Sequence, residues 1–202
     1  MARTPKTVED RREQIIDAAL RVFARKGFAR STNKDIAREA GITPGLIYHY
    51  FENKQAVFKA VVEERSPLKI VRTLPPDMLG LPPEQFMRFL LLRVLNVIES
   101  EQFVQIIRVM LPEAVHGSEF VPIGVSILQQ VINFLEQYLR TKMEQGVLQQ
   151  INTSFVAQTF TSCVMGFVLR RQVLRDPSAL QYSQEQIAEN VVNTILHGLL
   201  PR

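Results

Sequence analysis

The side chains best suited to chemistry are scattered along this chain. His49, His116 and His197 lie far apart and Cys163 stands alone, so none of them makes a metal-ligand spacing. No glycine elbow presents a serine nucleophile, and no glycine-rich loop is laid out to cradle phosphate. Catalytic residues, metal and cofactor are therefore not assigned, and the expectation is a protein that is not an enzyme. Positive charge, in contrast, is concentrated. Residues 1–65 hold 13 Lys and Arg against 9 Asp and Glu, while residues 66–202 hold 11 of each, so the whole net charge of +4 lies in the first third. Charge gathered at one end is the electrostatic footprint of a nucleic-acid contact.

The stretch from Thr32 to Tyr48 supplies the elements that could present such a contact. Thr32 can cap a short helix, with Asp35 three residues on at its positive end, and Gly41 can take the left-handed conformation that ends it. Thr43 and Pro44 then restart the chain as N-cap and first helical residue. Ala37 is small where the two helices must cross, and Ile36, Ile42 and Ile47 are placed to fill a shared core. Two short helices joined by a glycine-containing turn form a helix-turn-helix, whose second helix enters the major groove N-terminus first.

The surrounding pattern is helical throughout. Ile15, Ile16, Ala19, Leu20 and Phe23 mark a first helix over 9–26, stopped by Gly27, and Asn53 caps a fourth. The only proline-rich stretch, Ser66 to Pro83, reads as a linker or the frayed end of the fourth helix. Beyond it, helical patterns run over about 84–99, 102–115, 119–145, 154–174 and 184–199, with Ser183 and Gln186 forming a capping box for the last. The fold class is all-α: a helix-turn-helix domain at 1–65, a linker at 66–83 and a larger helical domain at 84–202. Hydrophobic residues make up 46% of the chain, enough for a buried core, yet no apolar run reaches the roughly 18–20 residues that would span a bilayer. The basic N-terminus has no apolar segment behind it and does not read as a secretory signal, and one cysteine suits a reducing cytoplasm.

At these residues the chain resembles the N-terminal domain of tetracycline-repressor (TetR) family transcription regulators. The resemblance covers residues 9–65 and is carried by Gln14-Ile15-Ile16-Asp17-Ala18-Ala19, by Phe23-Ala24-Arg25-Lys26-Gly27-Phe28, by Asp35 to Ile42, and by Gly45-Leu46-Ile47-Tyr48-His49-Tyr50-Phe51-Glu52-Asn53-Lys54. It implies that Tyr48, His49 and Lys54 donate to backbone phosphates, that Thr32 and Asn33 grip the other side of the groove, and that Lys34 reaches a guanine edge. Thr43 would touch phosphate or base. Pro44, Gly45 and Leu46 stand where the family often places a longer polar reader, and they offer only close backbone approach and apolar contact. Arg3, Lys6, Arg11 and Arg12 form a basic arm that either adds phosphate contacts or is a solvated tail.

The larger domain carries further implications of the resemblance. The helices over 154–174 and 184–199 are apolar on two sides, so one side can face a second copy in a homodimer, through Phe160, Val164, Phe167, Ile187, Val191, Ile195 and Leu199. A small apolar or aromatic effector would lie among Phe86, Phe89, Leu90, Phe103, Ile107, Met110, Phe134, Tyr138, Phe160 and Met165, with Arg93, Arg108 or His116 as a polar anchor. Aromatics and methionines at helical spacing are also what a plain core contains. Cys163 reads as a buried small hydrophobe. The expectation is a cytoplasmic, homodimeric, ligand-responsive repressor bound to a palindromic double-stranded DNA operator. The alternative is a helix-turn-helix protein that organises DNA or protein assemblies without sensing a ligand.

Overall fold

The computed structural model describes residues 7–115 and 121–197, the side chains of 113–115 and 197 excepted. Every regular element among them is helical. The chain divides into two compact units, Met1–Arg65 with Gln105–Gly124, and Ser66–Val104 with Val125–Arg202.

In the first unit, α1 (Val8–Lys26) starts with a capping box in which Thr7 and Asp10 exchange hydrogen bonds of 3.1 Å. Helix α2 (Asn33–Ala40) starts the same way, from Thr32 and Asp35. Gly41 ends α2 at φ 64°, ψ 39°, where its N–H caps the carbonyls of Ala37 and Arg38; a side chain at this φ is strained. Helices α3 (Pro44–Tyr50) and α4 (Lys54–Arg65) complete the unit's N-terminal part, with Asn53 Oδ1 accepting from the Ala56 N–H at 2.8 Å. Helix α1 packs on α2 and α4, and α2 on α3. Their shared core holds Ile15, Ile16, Phe23, Ile36, Ile47, Val57 and Phe58, all sealed from solvent. Phe23, Phe28 and Phe58 meet with ring centroids 5.1–5.6 Å apart, a geometry that adds about 0.5–1.5 kcal/mol per pair to the burial itself. Ion pairs close the open end: Arg12 bonds Glu64 at 3.0 Å, and Arg65 bonds Glu13 and Asp17 of α1.

The proline-rich stretch is more structured than a linker. It contains α5 (Leu68–Thr73) and a 3-10 turn at Pro76–Gly80, and Leu68 and Ser66 are buried. Pro67 at the start of α5 and Pro76 at the start of the turn occupy first-turn positions, where no N–H is needed. Helix α6 (Pro83–Ile98) follows, then α7 (Glu101–Val115) and α8 (Val121–Glu144). Helix α9 (Thr153–Val168) runs on into a π-turn at Leu169–Val173, so the helix expected over 154–174 changes geometry near its end. A short α10 (Pro177–Leu180) precedes α11 (Gln184–His197), opened by the Ser183–Gln186 box. In the second unit α11 packs on α6 and α9. Arg171 pins their ends: it pairs with Glu99 at 2.6 Å and donates to the carbonyls of Ala179 and Tyr182. No described helix is long and apolar enough to cross a membrane.

Candidate nucleic-acid interface

The helix-turn-helix divides its residues sharply. Ile36, Ala37 and Ile47 are buried and Ile42 is half-buried, which fixes the angle between α2 and α3. Gln14 of α1 donates to the Ala40 carbonyl at 2.5 Å and holds the turn from beneath. On the opposite side Lys34, Thr43, Pro44, Gly45, Tyr48 and His49 are all exposed. Tyr48 is 60% exposed, although an aromatic ring this large usually finds cover. Lys34, Thr43 and Tyr48 make no side-chain hydrogen bond or ion pair with any described residue, and Thr43 at the α3 N-cap leaves its hydroxyl uncommitted instead of capping the helix. A Cβ on Gly45 would meet nothing within 4 Å and its φ is not positive, so nothing among the described residues requires glycine there. These features make a row of free donors around an unobstructed piece of backbone.

Four of the sequence expectations meet, at this surface, an arrangement within the chain that the sequence does not announce. Lys54 is not extended towards solvent: its ammonium donates to the carbonyls of Ser31 at 2.8 Å, Phe28 at 2.9 Å and Ala29 at 3.4 Å, and sits 4.1 Å from the Phe28 ring centroid. A lysine in the first turn of a helix faces the positive end of the dipole, and these carbonyls supply the compensating negative charge. Thr32 uses both its N–H and its hydroxyl on Asp35, so its donors belong to the cap. Asn33 turns its Oδ1 into the fold, where it is buried without a described partner. Arg11 and Arg12 belong to α1 and not to an arm, bonding Gln14 and Glu64 respectively, while Arg3 and Lys6 lie outside the described residues.

Two carboxylates keep the presenting helix in place. Asp35 takes a 2.6 Å bond from Lys26, which with the Thr32 hydroxyl brings its pKa down to about 2. Glu39 is held below its ordinary value by Arg21 and Arg25, at 2.9 and 3.0 Å. Arg38, not singled out in the sequence, is exposed one turn beyond Lys34 with no described partner; the i, i+4 spacing of two basic residues was the available signal.

In the second unit, Phe86 is sealed from solvent, stacks on Tyr138 at 4.0 Å and meets Phe134 at 6.4 Å. Leu90, Phe103 and Phe160 are buried, and Phe89 is half-buried. Arg93 is exposed, over the Phe89 ring, and Met165 points outward, so neither lies in the buried set. Ile107 and Met110, both half-buried, belong to the other compact unit; Arg108 is exposed and His116 lies outside the described residues. Phe160, Val164, Ile187 and Val191 are buried in the chain's own core, so they are not the outward face; Phe167 and Ile195 are half-buried, and Leu199 lies outside the described residues. The outward stripe of α9 is Phe155, Gln158, Ser162 and Met165, continued by Leu169, with Cys163 exposed beside it and not buried as expected. Helical periodicity identifies two apolar sides but not which of them the chain itself covers. Lys142, also missed, lies within the buried stripe of α8.

Comparison with known proteins follows this geometry. The family model for bacterial regulatory proteins of the tetR family matches residues 15–61, and that for the C-terminal domain of AefR-like transcriptional repressors matches residues 85–198. The uncharacterized HTH-type transcriptional regulator TtgW of Pseudomonas putida is 34% identical over 142 residues, 69% of this chain and 100% of that one. The uncharacterized HTH-type transcriptional regulator YvkB of Bacillus subtilis is 25% identical over 189 residues, 93% of this chain and 96% of its own. In fold, the chain resembles SmeT, the repressor of the Stenotrophomonas maltophilia multidrug efflux pump SmeDEF, with a TM-score of 0.72 at 22% identity over 94% of this chain and 90% of that one. A SmeT–triclosan complex matches with a TM-score of 0.74.

Proposed function

Because the chain belongs to the TetR family of transcriptional regulators, we propose that it is a homodimeric, ligand-responsive repressor that binds a palindromic operator in a bacterial cytoplasm. The observation carrying this reading is the exposed row of Lys34, Thr43, Gly45 and Tyr48 on a helix pair whose other side is packed through Ile36, Ala37 and Ile47. Helix α3 enters the major groove by its N-terminus; Tyr48, His49 and Thr43 bond phosphate, and Lys34 reaches a base edge. With only proline, glycine and leucine at residues 44–46, readout leans on Lys34, Thr43 and DNA shape. Dimerisation uses the outward stripe of α9, where Phe155, Met165 and Leu169 present apolar surface that a single chain leaves wet. An apolar or aromatic effector near Phe86, Phe134 and Tyr138 acts by favouring one spacing of the two reading heads. The fold likeness to a repressor solved with triclosan supports a ligand of that general size.

The test is an anisotropy titration against DNA flanking the protein's own gene, at two salt concentrations, beside Tyr48→Ala and Lys34→Ala. Sequence-selective, salt-sensitive binding weakened by both substitutions is expected. Binding no stronger than to a random duplex would overturn the operator assignment.

A further inference from the structure

Helix α2 carries four charges that cancel, Lys34 and Arg38 against Asp35 and Glu39, but they are sorted to different sides. The two carboxylates serve α1. Asp35 takes a 2.6 Å bond from Lys26 and closes the cap with Thr32, and Glu39 bonds Arg21 at 2.9 Å and Arg25 at 3.0 Å. Both are half-buried, and their cationic partners hold both below their ordinary pKa, so at neutral pH they stay ionised and committed. The two cations are exposed, and neither has a partner among the described residues.

Packing and helix stability do not account for this pair. Two cations at i and i+4 lie about 5–6 Å apart at their Cβ atoms and repel, a small cost that no described group offsets. Asp35 stands three residues before Arg38, at the spacing of an intrahelical ion pair, yet its oxygens are taken by Lys26 and Thr32. The helix dipole suits Arg38 in the last turn but disfavours Lys34 in the first. An anion lying along this face would be held by both side chains. In a helix-turn-helix the first helix crosses the nucleic-acid backbone while the second enters the groove.

From this sorting of charge we infer that Arg38 is a second DNA contact of α2, its guanidinium binding a backbone phosphate beside the base edge reached by Lys34. This rests on the reading of α2 and α3 as a DNA-reading pair. The guanidinium fork offers two parallel N–H donors to a phosphate. Because a phosphate carries no sequence, the contact adds affinity on every duplex and fixes where α2 sits, leaving discrimination to Lys34 and Thr43. The ion pairs from α1 are part of the device. By occupying Asp35 and Glu39 they keep both cations available to an anion from outside.

The test is an anisotropy titration of the full chain between about 50 and 200 mM salt, on a duplex of random sequence and on DNA flanking the protein's own gene. It compares wild type with Arg38→Gln, Arg38→Lys and Lys59→Gln, the last removing an exposed cation from α4. Arg38→Gln should weaken binding to both duplexes by the same factor and flatten the slope of log K against log salt by about 2 for two subunits. The wild type's advantage then shrinks about 16-fold over that roughly fourfold rise in salt. Its thermal midpoint should fall by no more than about 4 °C, since inside the fold only the dipole contact is lost. Arg38→Lys, which keeps the charge without the fork, should keep the slope and lose part of the affinity. Lys59→Gln should leave the slope close to that of wild type. An unchanged slope for Arg38→Gln, or equal flattening by Lys59→Gln, overturns the inference. A loss confined to the flanking DNA would make Arg38 a base reader and overturn it too. Wild type that binds both duplexes equally, with the Arg38 effect intact, would count against the regulator reading and leave the phosphate contact standing.

Discussion

Replacing Lys54 with methionine tests whether this lysine touches DNA or holds the domain that does. The family resemblance gives it a phosphate; the structure gives it three carbonyls of the turn between α1 and α2. Methionine keeps the unbranched apolar stem over Phe28 and removes only the charge. Two short bonds from a charged donor contribute about 1.5 kcal/mol each at the low end of their range, and the contact with the Phe28 ring about 0.5 kcal/mol more. The substitution should therefore destabilise the chain by about 3.5 kcal/mol, read as a lower urea midpoint with the same m-value. DNA binding separates the two roles further. A lysine that neutralises a phosphate releases about one counterion, so its loss from both subunits of the proposed dimer flattens the slope of log K against log salt by about 2. Lys34→Met, which removes an exposed and unpartnered cation, should show that flattening with stability nearly unchanged. Lys54→Met should weaken binding at every salt concentration and leave the slope as it is. A flattened slope with an unshifted urea midpoint for Lys54→Met would refute the clamp and restore the phosphate contact.

Gly45→Ala should act in opposite directions on fold and function. Alanine in this open helical position stabilises the chain by about 0.5–1 kcal/mol in thermal unfolding, whereas its methyl, standing where backbone must approach DNA, lowers operator affinity by about tenfold; unchanged affinity would remove the close approach. Asp35 gives a pH dependence. Its folded pKa, about 2, lies below the ordinary 3.8, so its contribution is complete above about pH 4 and lost as pH falls towards 2. Acid unfolding followed by circular dichroism should thus be less steep in that window for Asp35→Asn, from a lower starting stability, and an identical acid limb would exclude Asp35 as a source. On α9, Phe155→Glu should shift the proposed dimer to monomer in sedimentation with the helical spectrum kept, while Val164→Glu, which buries a charge in the chain's own core, should unfold it. Retention of the dimer by Phe155→Glu would move the interface elsewhere.

Much of the helical frame was legible because local signals and tertiary packing agree. Thr32 and Asp35, Gly41, Asn53, and Ser183 with Gln186 each bring their own hydrogen-bond partners within three or four residues, so sequence spacing alone specifies the cap. The stretch from Ser66 to Pro83 was less legible. Prolines signal an interruption, yet Pro67 and Pro76 open short helical turns, where a missing N–H is tolerated, and Leu68 supplies an apolar anchor that no periodicity announces in six residues. The π-turn after Val168 leaves no mark in the apolar pattern, and nothing in the structure explains why the chain adopts it there.

At the candidate site the sequence gives helix faces more readily than it gives where a charge settles, for a reason specific to long cations. A lysine or arginine reaches far enough for its charge to settle well away from its Cα, and where it settles depends on acceptors contributed by distant segments. Lys34, Lys54 and Lys142 show three outcomes of the same side chain. Lys34 stands on a helix face whose neighbours offer it nothing, and it stays in water. Lys54 begins a helix beside a turn, 23–26 residues earlier in sequence, whose carbonyls converge on it. Lys142 falls in register with Leu135, Tyr138 and Leu139, and its neighbours cover its stem, with its ammonium 5.6 Å from the Tyr138 ring. Sequence spacing gives the helix face for each, which sufficed for Lys34 and would have flagged Lys142. Only the path of the chain between α1 and α2 brings those carbonyls to Lys54, and no sequence spacing announces it. The same reasoning ranks the groups left for DNA: the donors with no partner among the described residues, Lys34, Thr43 and Tyr48, are the ones that can bind phosphate or base without first breaking a described bond.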